Sequence, residues 1–294
     1  MRVRLALLAA VVMAASANAQ DTARTDSSRT GSGIGSGISI GDTRGVNGLR
    51  LNFRDSRLER VNGVNLTIWL PVKGRGVVNG LELGLPATGD GSINGVALAI
   101  AGVAVKQNIS GLGLAGLGIG AGERLAGVNV AGLAVAAGQQ IWGLTVGGLA
   151  AGSGGKATGV TIGGLAAGAG GNVTGLLIGG LAAGAGGTIR GVAIGGGAAG
   201  APIVRGVLIA GLATGGVDVK GVMLAPLYAR IANGELTGGS IGAVNDVRGE
   251  LHGVSIGIFN YARSLHGVQL GLLNLAGNNH GLARLLPLLN LHLH

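Results

Sequence analysis

Three stretches of the chain repeat one pattern: Gly143-Leu-Thr-Val-Gly-Gly-Leu-Ala150, Gly159-Val-Thr-Ile-Gly-Gly-Leu-Ala166 and Gly175-Leu-Leu-Ile-Gly-Gly-Leu-Ala182. The first glycine of the pattern returns every 16 residues. A fixed period of this kind is typical of repeat proteins, in which each unit stacks only on its neighbours. The period therefore determines the class of fold before any single residue is interpreted.

The same frame, a glycine followed by alternating apolar positions, extends along most of the chain. It predicts about sixteen units, which begin at Gly48, Gly63, Gly80, Gly95, Gly111, Gly127, Gly143, Gly159, Gly175, Gly191, Gly206, Gly221, Gly238, Gly253, Gly267 and Gly281. Within a unit, Val160-Thr161-Ile162 alternates as a half-buried strand does, and Ala169-Gly170-Gly171-Asn172 has turn chemistry. The pair Gly163-Gly164 accepts a bend, so each unit is expected to divide into two short strands.

The composition excludes both an ordinary core and disorder. Glycine supplies 64 of 294 residues and aromatic residues only 2%, which leaves few large side chains to interdigitate. Hydrophobic residues nevertheless make up 47% of the chain, unlike the low hydrophobicity of unfolded proteins. Cysteine is absent, so we expect backbone pairing rather than disulfides to hold the fold together.

Two β architectures can use such units. In a parallel solenoid each unit is one coil, so like positions stack about 4.8 Å apart; in an antiparallel transmembrane β-barrel successive units run in opposite directions. The position before each glycine reads Asn47, Asn62, Asn79 and Asn94, and amide ladders stabilise parallel, in-register strands. We therefore predict an all-β parallel solenoid of coils of 14 to 17 residues. The barrel is the alternative, because residues 143–215 are apolar on both strand faces.

The ends of the chain differ from the array. Arg2 and Arg4, the apolar stretch 5–15 and the triplet Ala17-Asn18-Ala19 have the order of a cleavable export signal, which predicts a signal peptide over residues 1–19. Residues 20–44 are rich in Ser, Thr, Gly and Asp and predict a flexible leader, with the repeat domain over 45–294. We expect an exported protein at the cell surface, in the outer membrane or outside the cell.

Solenoids need polar ends, because an exposed terminal coil is an open sheet edge. The charged residues expected to cap the first coils are Arg50, Arg54, Asp55, Arg57, Glu59 and Arg60. At the other end, Pro287 and the tail Asn290-Leu-His-Leu-His294 are expected to serve the same purpose. Incomplete caps would permit self-association through the ends of the solenoid.

The last units carry a second pattern, in Gly253-Val-Ser-Ile-Gly-Ile-Phe-Asn260, Gly267-Val-Gln-Leu-Gly-Leu-Leu-Asn274 and Pro287-Leu-Leu-Asn290. It resembles a bacterial family of secreted or surface glycine-rich repeat proteins with Gly-apolar-x-apolar-Gly-apolar-apolar-Asn units. The resemblance implies a surface location and a repeat architecture, and it implies no activity or catalytic residue. Counted from the first glycine, alanine replaces the closing asparagine in the central units, at Ala150, Ala166 and Ala182.

One column of polar residues is the candidate site. The position before the repeat glycine is occupied by Arg190, Arg205, Lys220, His252, His266 and His280. The basic members predict contact with an anionic envelope polysaccharide or with another surface protein, against the alternative of a solvated edge. A row of imidazoles has the chemistry to bind zinc or nickel, but no carboxylate recurs in this column, so a polar edge without a metal or cofactor is predicted.

The remaining composition argues against catalysis and against nucleic acid. Only 11% of residues are charged, and Lys156 is the one charged residue between Gly127 and Gly186. We find no paired carboxylates, no nucleophile with a base and no phosphate-binding loop. The net charge of +9 suits an anionic envelope, whereas the scarcity of aromatic residues disfavours base stacking. The predicted function is a non-enzymatic structural or adhesive protein. The alternative is an outer-membrane β-barrel, inserted in the membrane, that forms a pore or has a structural role.

Overall fold

The computed structural model of the chain describes residues 35–53, 56–69 and 75–293. These residues form a parallel β-solenoid of about fourteen turns with a spacing of about 16 residues, and β-strands account for 75% of the chain. Strands one turn apart pair in parallel and in register, as β-strands Gln140–Gly147 and Lys156–Gly163 do. The predicted solenoid is confirmed, and it is the one of the two candidate architectures that the chain adopts.

The strands and one short helix follow each other along the chain. The strands are β1 (Gly35–Ile40), β2 (Gly45–Asn52), β3 (Arg60–Trp69), β4 (Val77–Thr88), β5 (Ser92–Ala99), β6 (Gly102–Val105), β7 (Asn108–Ala115), β8 (Gly118–Ala121), β9 (Arg124–Ala131), β10 (Ala134–Ala137), β11 (Gln140–Gly147), β12 (Ala150–Ser153), β13 (Lys156–Gly163), β14 (Ala166–Ala169), β15 (Val173–Gly179), β16 (Ala182–Ala185), β17 (Thr188–Gly195), β18 (Ala198–Ala210), β19 (Ala213–Leu224), β20 (Tyr228–Ile231), β21 (Glu235–Ile241), β22 (Val244–Ile256), β23 (Phe259–Ala276) and β24 (Leu285–His292). A 3-10 helix, Gly281–Arg284, precedes β24.

A central turn consists of one strand of eight residues and one of four, as in β11 and β12. The inward residues Ile141, Thr145, Gly147 and Ala151 are buried, and the side chains of Leu144 and Val146 point outward. The two strands belong to one narrow coil, so the interior of the central turns holds small and medium side chains. At the inward position Gly147, for example, a Cβ atom would lie 1.9 Å from the carbonyl oxygen of Ala150. This narrowness explains why aromatic residues are so scarce.

The repeat glycines form a ladder along the solenoid. Gly143 has a φ of +113°, and a Cβ atom there would lie 2.2 Å from the carbonyl oxygen of Gly127 in the preceding turn. The same conformation and the same close approach recur at Gly48, Gly63, Gly80, Gly95, Gly111, Gly127, Gly159, Gly175, Gly191, Gly206, Gly221, Gly238, Gly253 and Gly267. Glycine is required because any other residue would be strained by its backbone and would also collide with the turn below it.

The ordered array begins earlier and ends earlier than the sequence indicates. The predicted leader over 20–44 contains β1, which pairs with β2 and aligns Gly37 with Gly48. Gly281 begins no further coil, because it lies in the 3-10 helix that precedes the final strand. The array therefore includes residues before the predicted boundary at residue 45, and Gly281 is not the start of a unit. The predicted signal peptide and leader residues 20–34 lie outside the described residues.

The N-terminal cap has a different arrangement from the one expected. Arg50 is not on the surface but fully buried, and its guanidinium donates hydrogen bonds to Asn65 at 3.0 Å and to Asp42 at 3.2 Å. Asn65 in turn donates to both carboxylate oxygens of Glu82, at 3.1 and 3.0 Å. A hydrogen-bonded polar column thus fills the interior of the first turns. Of the other predicted cap residues, Arg54 and Asp55 lie outside the described residues, and Arg57, Glu59 and Arg60 are exposed.

The C-terminal end is closed by a strand that reverses direction. β24 pairs antiparallel with β23, the last parallel strand, and so covers its hydrogen-bonding edge. Asn290 is buried there, and its amide donates to the carbonyl oxygens of Asn274 at 3.2 Å and Ala283 at 3.1 Å. The tail therefore caps the array as predicted, by backbone pairing rather than by polarity alone.

Asparagines of the last turns form a second, buried ladder. Asn245 donates to Asn260 at 2.7 Å, and Asn260 donates to Asn274 at 2.8 Å. Their amides also donate to backbone carbonyls of the adjoining turns, as Asn260 does to Leu270 at 2.9 Å. The ladder stabilises the turns because it satisfies carbonyl groups that water does not reach.

The pairing of the strands shows which residues of the central units occupy the place that asparagine has in the last units. The residues that stack below Asn245 and Asn260 are Ala229, Thr214, Ala199, Ala183, Ala167 and Ala151. Ala150, Ala166 and Ala182, which the sequence count assigned to this place, each lie one residue before the residue that occupies it. The central turns have one more residue at the corner before β12, β14 and β16, and counting from the glycine misses it.

Replacement of one ladder glycine tests the role of the close backbone approach. We expect Gly143→Ala to lower the free energy of unfolding by about 2–4 kcal/mol, because it combines backbone strain with a collision. Gly120→Ala is the control, since a Cβ atom there has nothing within 4 Å. The control should change stability by less than about 1 kcal/mol. Urea unfolding followed by circular dichroism measures both, and equal shifts would contradict the interpretation.

The side chains of Asn47, Asn62, Asn79 and Asn94 form an exposed, hydrogen-bonded ladder on the first turns. We expect this exposed ladder to contribute less to stability than the buried ladder of Asn245, Asn260 and Asn274. Asn260→Ala removes a buried amide that donates to Leu270 and Asn274 and accepts from Asn245, so we expect a loss of about 2–4 kcal/mol. Asn62→Ala interrupts the exposed ladder and should cost less than about 1 kcal/mol, because water replaces the lost bonds. Comparable losses in urea unfolding would show that burial is not what distinguishes the ladders.

Candidate functional site

The predicted polar column is a continuous row over most of its length. Arg190 aligns with Arg205, and Arg205 aligns with Lys220, on successive turns. All three side chains are exposed, and neighbouring turns are about 4.8 Å apart. Thr237 follows Lys220 in the row, and His252 and His266 continue it.

His280 does not belong to this row. It precedes the 3-10 helix Gly281–Arg284 and lies after the last parallel strand, which ends at Ala276. The reversal of the chain brings His292 to this place instead, with its ring edge-on to His266 at a centroid distance of 6.0 Å. The spacing of 14 residues suggested another stacked coil, but the chain ends the array at this point.

The end of the row contains a cluster of nitrogen and oxygen donors. The rings of His252 and His266 are stacked, with centroids 4.5 Å apart and planes inclined by 5°. Glu250, His252 and His266 each offer one donor atom, and these three atoms all lie within 4.8 Å of one another. In the turn before, Oε1 of Glu235 lies 3.4 Å from Nδ1 of His252. Two imidazoles with one or two carboxylates form a donor set suited to a divalent transition metal.

The carboxylate of Glu235 is kept in its charged form. Its pKa is lowered chiefly because the Thr237 hydroxyl donates a hydrogen bond to it, and desolvation opposes this effect. The positive charges of His252 and Lys220 lower the pKa further. A negative charge therefore lies beside the stacked imidazoles at neutral pH, where it favours a bound cation.

Sequence reasoning missed both carboxylates because it searched only the column of the histidines. Glu235 and Glu250 form a neighbouring row, two residues before Thr237 and His252. Residues i and i+2 of a strand lie on one face, so the string Glu250-Leu251-His252 contained the signal. Glu250, His252 and His266 come together only when the strands of neighbouring turns stack.

Aliphatic side chains cover one face of the solenoid. After the ladder glycine, Leu144 and Val146 point outward from β11, and Leu149 follows at the corner; Val160, Ile162 and Leu165 repeat this arrangement one turn later. The corner row consists of Leu117, Leu133, Leu149, Leu165, Leu181, Leu212, Leu227, Ile258 and Leu273, whose exposed fractions range from 42% to 61%. Gly197 and Ala243 interrupt it. We call these three rows the aliphatic face.

Comparison with protein-family models, with curated proteins and with solved structures gave no match. In the part of the chain that the structure describes, no helix has the length and apolar character required to cross a membrane. The fold thus defines the chain as a parallel β-solenoid.

Proposed function

We propose that the chain is a non-enzymatic structural or adhesive protein that is exported and acts at the cell surface or in the envelope. The export-signal pattern of residues 1–19 supports the location. A long rod with regular rows of side chains suits a scaffold, because it offers the same contact many times. The aliphatic face is the observation that carries the proposal.

The aliphatic face is large enough to hold two rods together. About five residues of extended chain span about 16 Å, and the turns from Leu117 to Leu273 span about 50 Å, which gives an area of about 800 Å². A stable protein–protein interface buries about 800 Å² on each partner. Monomeric proteins rarely expose continuous apolar patches larger than a few hundred Å². The occupant of this face is a second copy of the chain, packed side by side.

The spacing of the side-chain rows on the aliphatic face favours contact with a second copy of the chain over contact with lipid. Its rows repeat at the strand spacing, so the rows of one rod fit between those of another, as in packed β-sheets. A two-fold arrangement is self-complementary and closes into a dimer. Between Leu117 and Leu273, aromatic residues, which anchor proteins at the membrane interface, do not occur in the three rows.

The basic row supports an adhesive role beside the structural one. Arg190, Arg205 and Lys220 lie on consecutive turns and are exposed, which places three positive charges along about 10 Å. An anionic envelope polysaccharide, or an acidic patch on another surface protein, has charges that can match this spacing. The ends offer a further contact, because Ile38 and Ile40 of β1 are 74% and 77% exposed.

Sedimentation equilibrium of the secreted chain tests the side-by-side contact. We expect a dimer for the natural protein and a monomer for the double variant Leu149→Lys, Leu165→Lys, because buried unpaired charges are costly at an interface. Thr158→Lys is the control, since it adds a charge to the polar row outside the face. A monomeric natural protein that floats with phospholipid vesicles would assign the face to lipid and overturn the dimer.

Fractionation of cells expressing the full chain tests export. We expect cleavage after Ala19, recovery in the envelope or the medium, and release from the envelope by carbonate without detergent. Charged substitutions within the apolar stretch 5–15 should retain the uncleaved chain inside the cell. A natural chain that keeps residues 1–19 and remains in the cytoplasm would contradict the proposed location.

A further inference from the structure

We propose that Glu250, His252 and His266 bind one divalent transition-metal ion of the zinc or nickel type at the C-terminal end of the rod. The site joins consecutive turns, because His252 on β22 aligns with His266 on β23. It is independent of the aliphatic face, since its residues belong to the polar row and to the row of Glu250.

The geometry needs only a small adjustment to accept an ion. Three atoms that lie within 4.8 Å of one another fit in a sphere whose centre is at most about 2.8 Å from each of them. Zinc lies at about 2.0–2.2 Å from histidine nitrogen and carboxylate oxygen. The donors thus move by well under 1 Å, which a change of side-chain torsion angle supplies for partly exposed residues.

The histidine rings have nitrogens without a hydrogen-bond partner. Nδ1 of His252 and Nδ1 of His266 are both sealed from solvent and make no hydrogen bond. The contact of His252 with Glu235 has the distance of an ion pair but lacks the direction of a hydrogen bond. Buried polar atoms usually have partners, so two adjacent exceptions indicate a missing ligand. An ion binds in the plane of an imidazole ring, so the two near-parallel rings must tilt toward a shared ion by rotation about their side-chain torsion angles.

The charges around the cluster suit a dication. Glu250 is in the site, and the carboxylate of Glu235 lies beside it, 3.4 Å from Nδ1 of His252, so two acidic side chains face the ion. Lys220 is two turns away in the same row, at about 10 Å. His292 lies edge-on to His266 and is held by Asn279 through a 2.6 Å contact at Nδ1, so it restrains the ring that binds the ion.

Bound metal would fasten the end of the array. β22 and β23 are the last two parallel strands before the chain reverses, and an ion held by both resists their separation. Terminal units of repeat proteins have only one neighbouring unit and therefore unfold more easily than the middle. A metal link at this end acts as a clamp where neighbouring turns no longer contribute.

Titration of the secreted, tag-free chain with Zn²⁺ in a calorimeter tests the site. We expect saturable binding of about one ion per chain, with an affinity that falls at least tenfold in His252→Asn, His266→Asn and Glu250→Gln. The matched controls are His280→Asn and Glu123→Gln, which lie outside the cluster and should bind as the natural protein does. With Co²⁺ in place of Zn²⁺, the natural protein should gain visible absorption that His266→Asn lacks.

The proposal is overturned if the natural protein shows no saturable binding, or if His280→Asn weakens binding as much as His266→Asn. Circular dichroism verifies that each variant retains its β-structure. Glu250 is exposed, so Glu250→Gln tests the site even if a histidine variant fails to fold. Loss of metal binding with an unchanged dimer separates this proposal from the side-by-side contact.

Discussion

The close approach of backbones at the glycine ladder is the constraint on which the rest of the structure depends. Each turn stacks on the next with a glycine at positive φ, as at Gly143, whose missing side chain leaves room for the carbonyl oxygen of Gly127. This contact fixes the register, because a slip of one residue would bring a side chain into that space. All other rows of the solenoid follow from that alignment.

In-register stacking explains where polar side chains occur inside the rod. The inward position two residues after the ladder glycine is polar in the terminal turns, at Arg50, Asn65 and Gln269, and apolar from Leu177 to Met223. Asn129, Thr145 and Thr161 place further polar side chains at this position in the middle of the rod. A polar interior near an end tolerates the water that fraying admits, and its hydrogen bonds hold the terminal turns together. The caps and the buried asparagine ladder likewise hold the terminal turns together through hydrogen bonds.

The outer surface follows the same rule with two different results. Where the sequence repeats, as at Leu149 and Leu165, stacking produces a long uniform face that suits association over a large area. Where the sequence departs from the repeat, as at Glu250 and His252, stacking produces a single local cluster. The proposed scaffold surface thus arises where the sequence repeats regularly, and the proposed metal site arises where the repeat is interrupted.

The sequence by itself determined the β class, the parallel stacking and the outer ladders. The 16-residue period and the one position that is always glycine restrict the folds that the chain can adopt. It did not determine where the array stops, since His280 keeps the spacing although the chain has already reversed. It misplaced Ala150 by one residue because corners absorb extra residues without altering the pairing. Only the tertiary structure decided that Arg50 is buried and that Glu250 meets His266, because such contacts depend on register between turns.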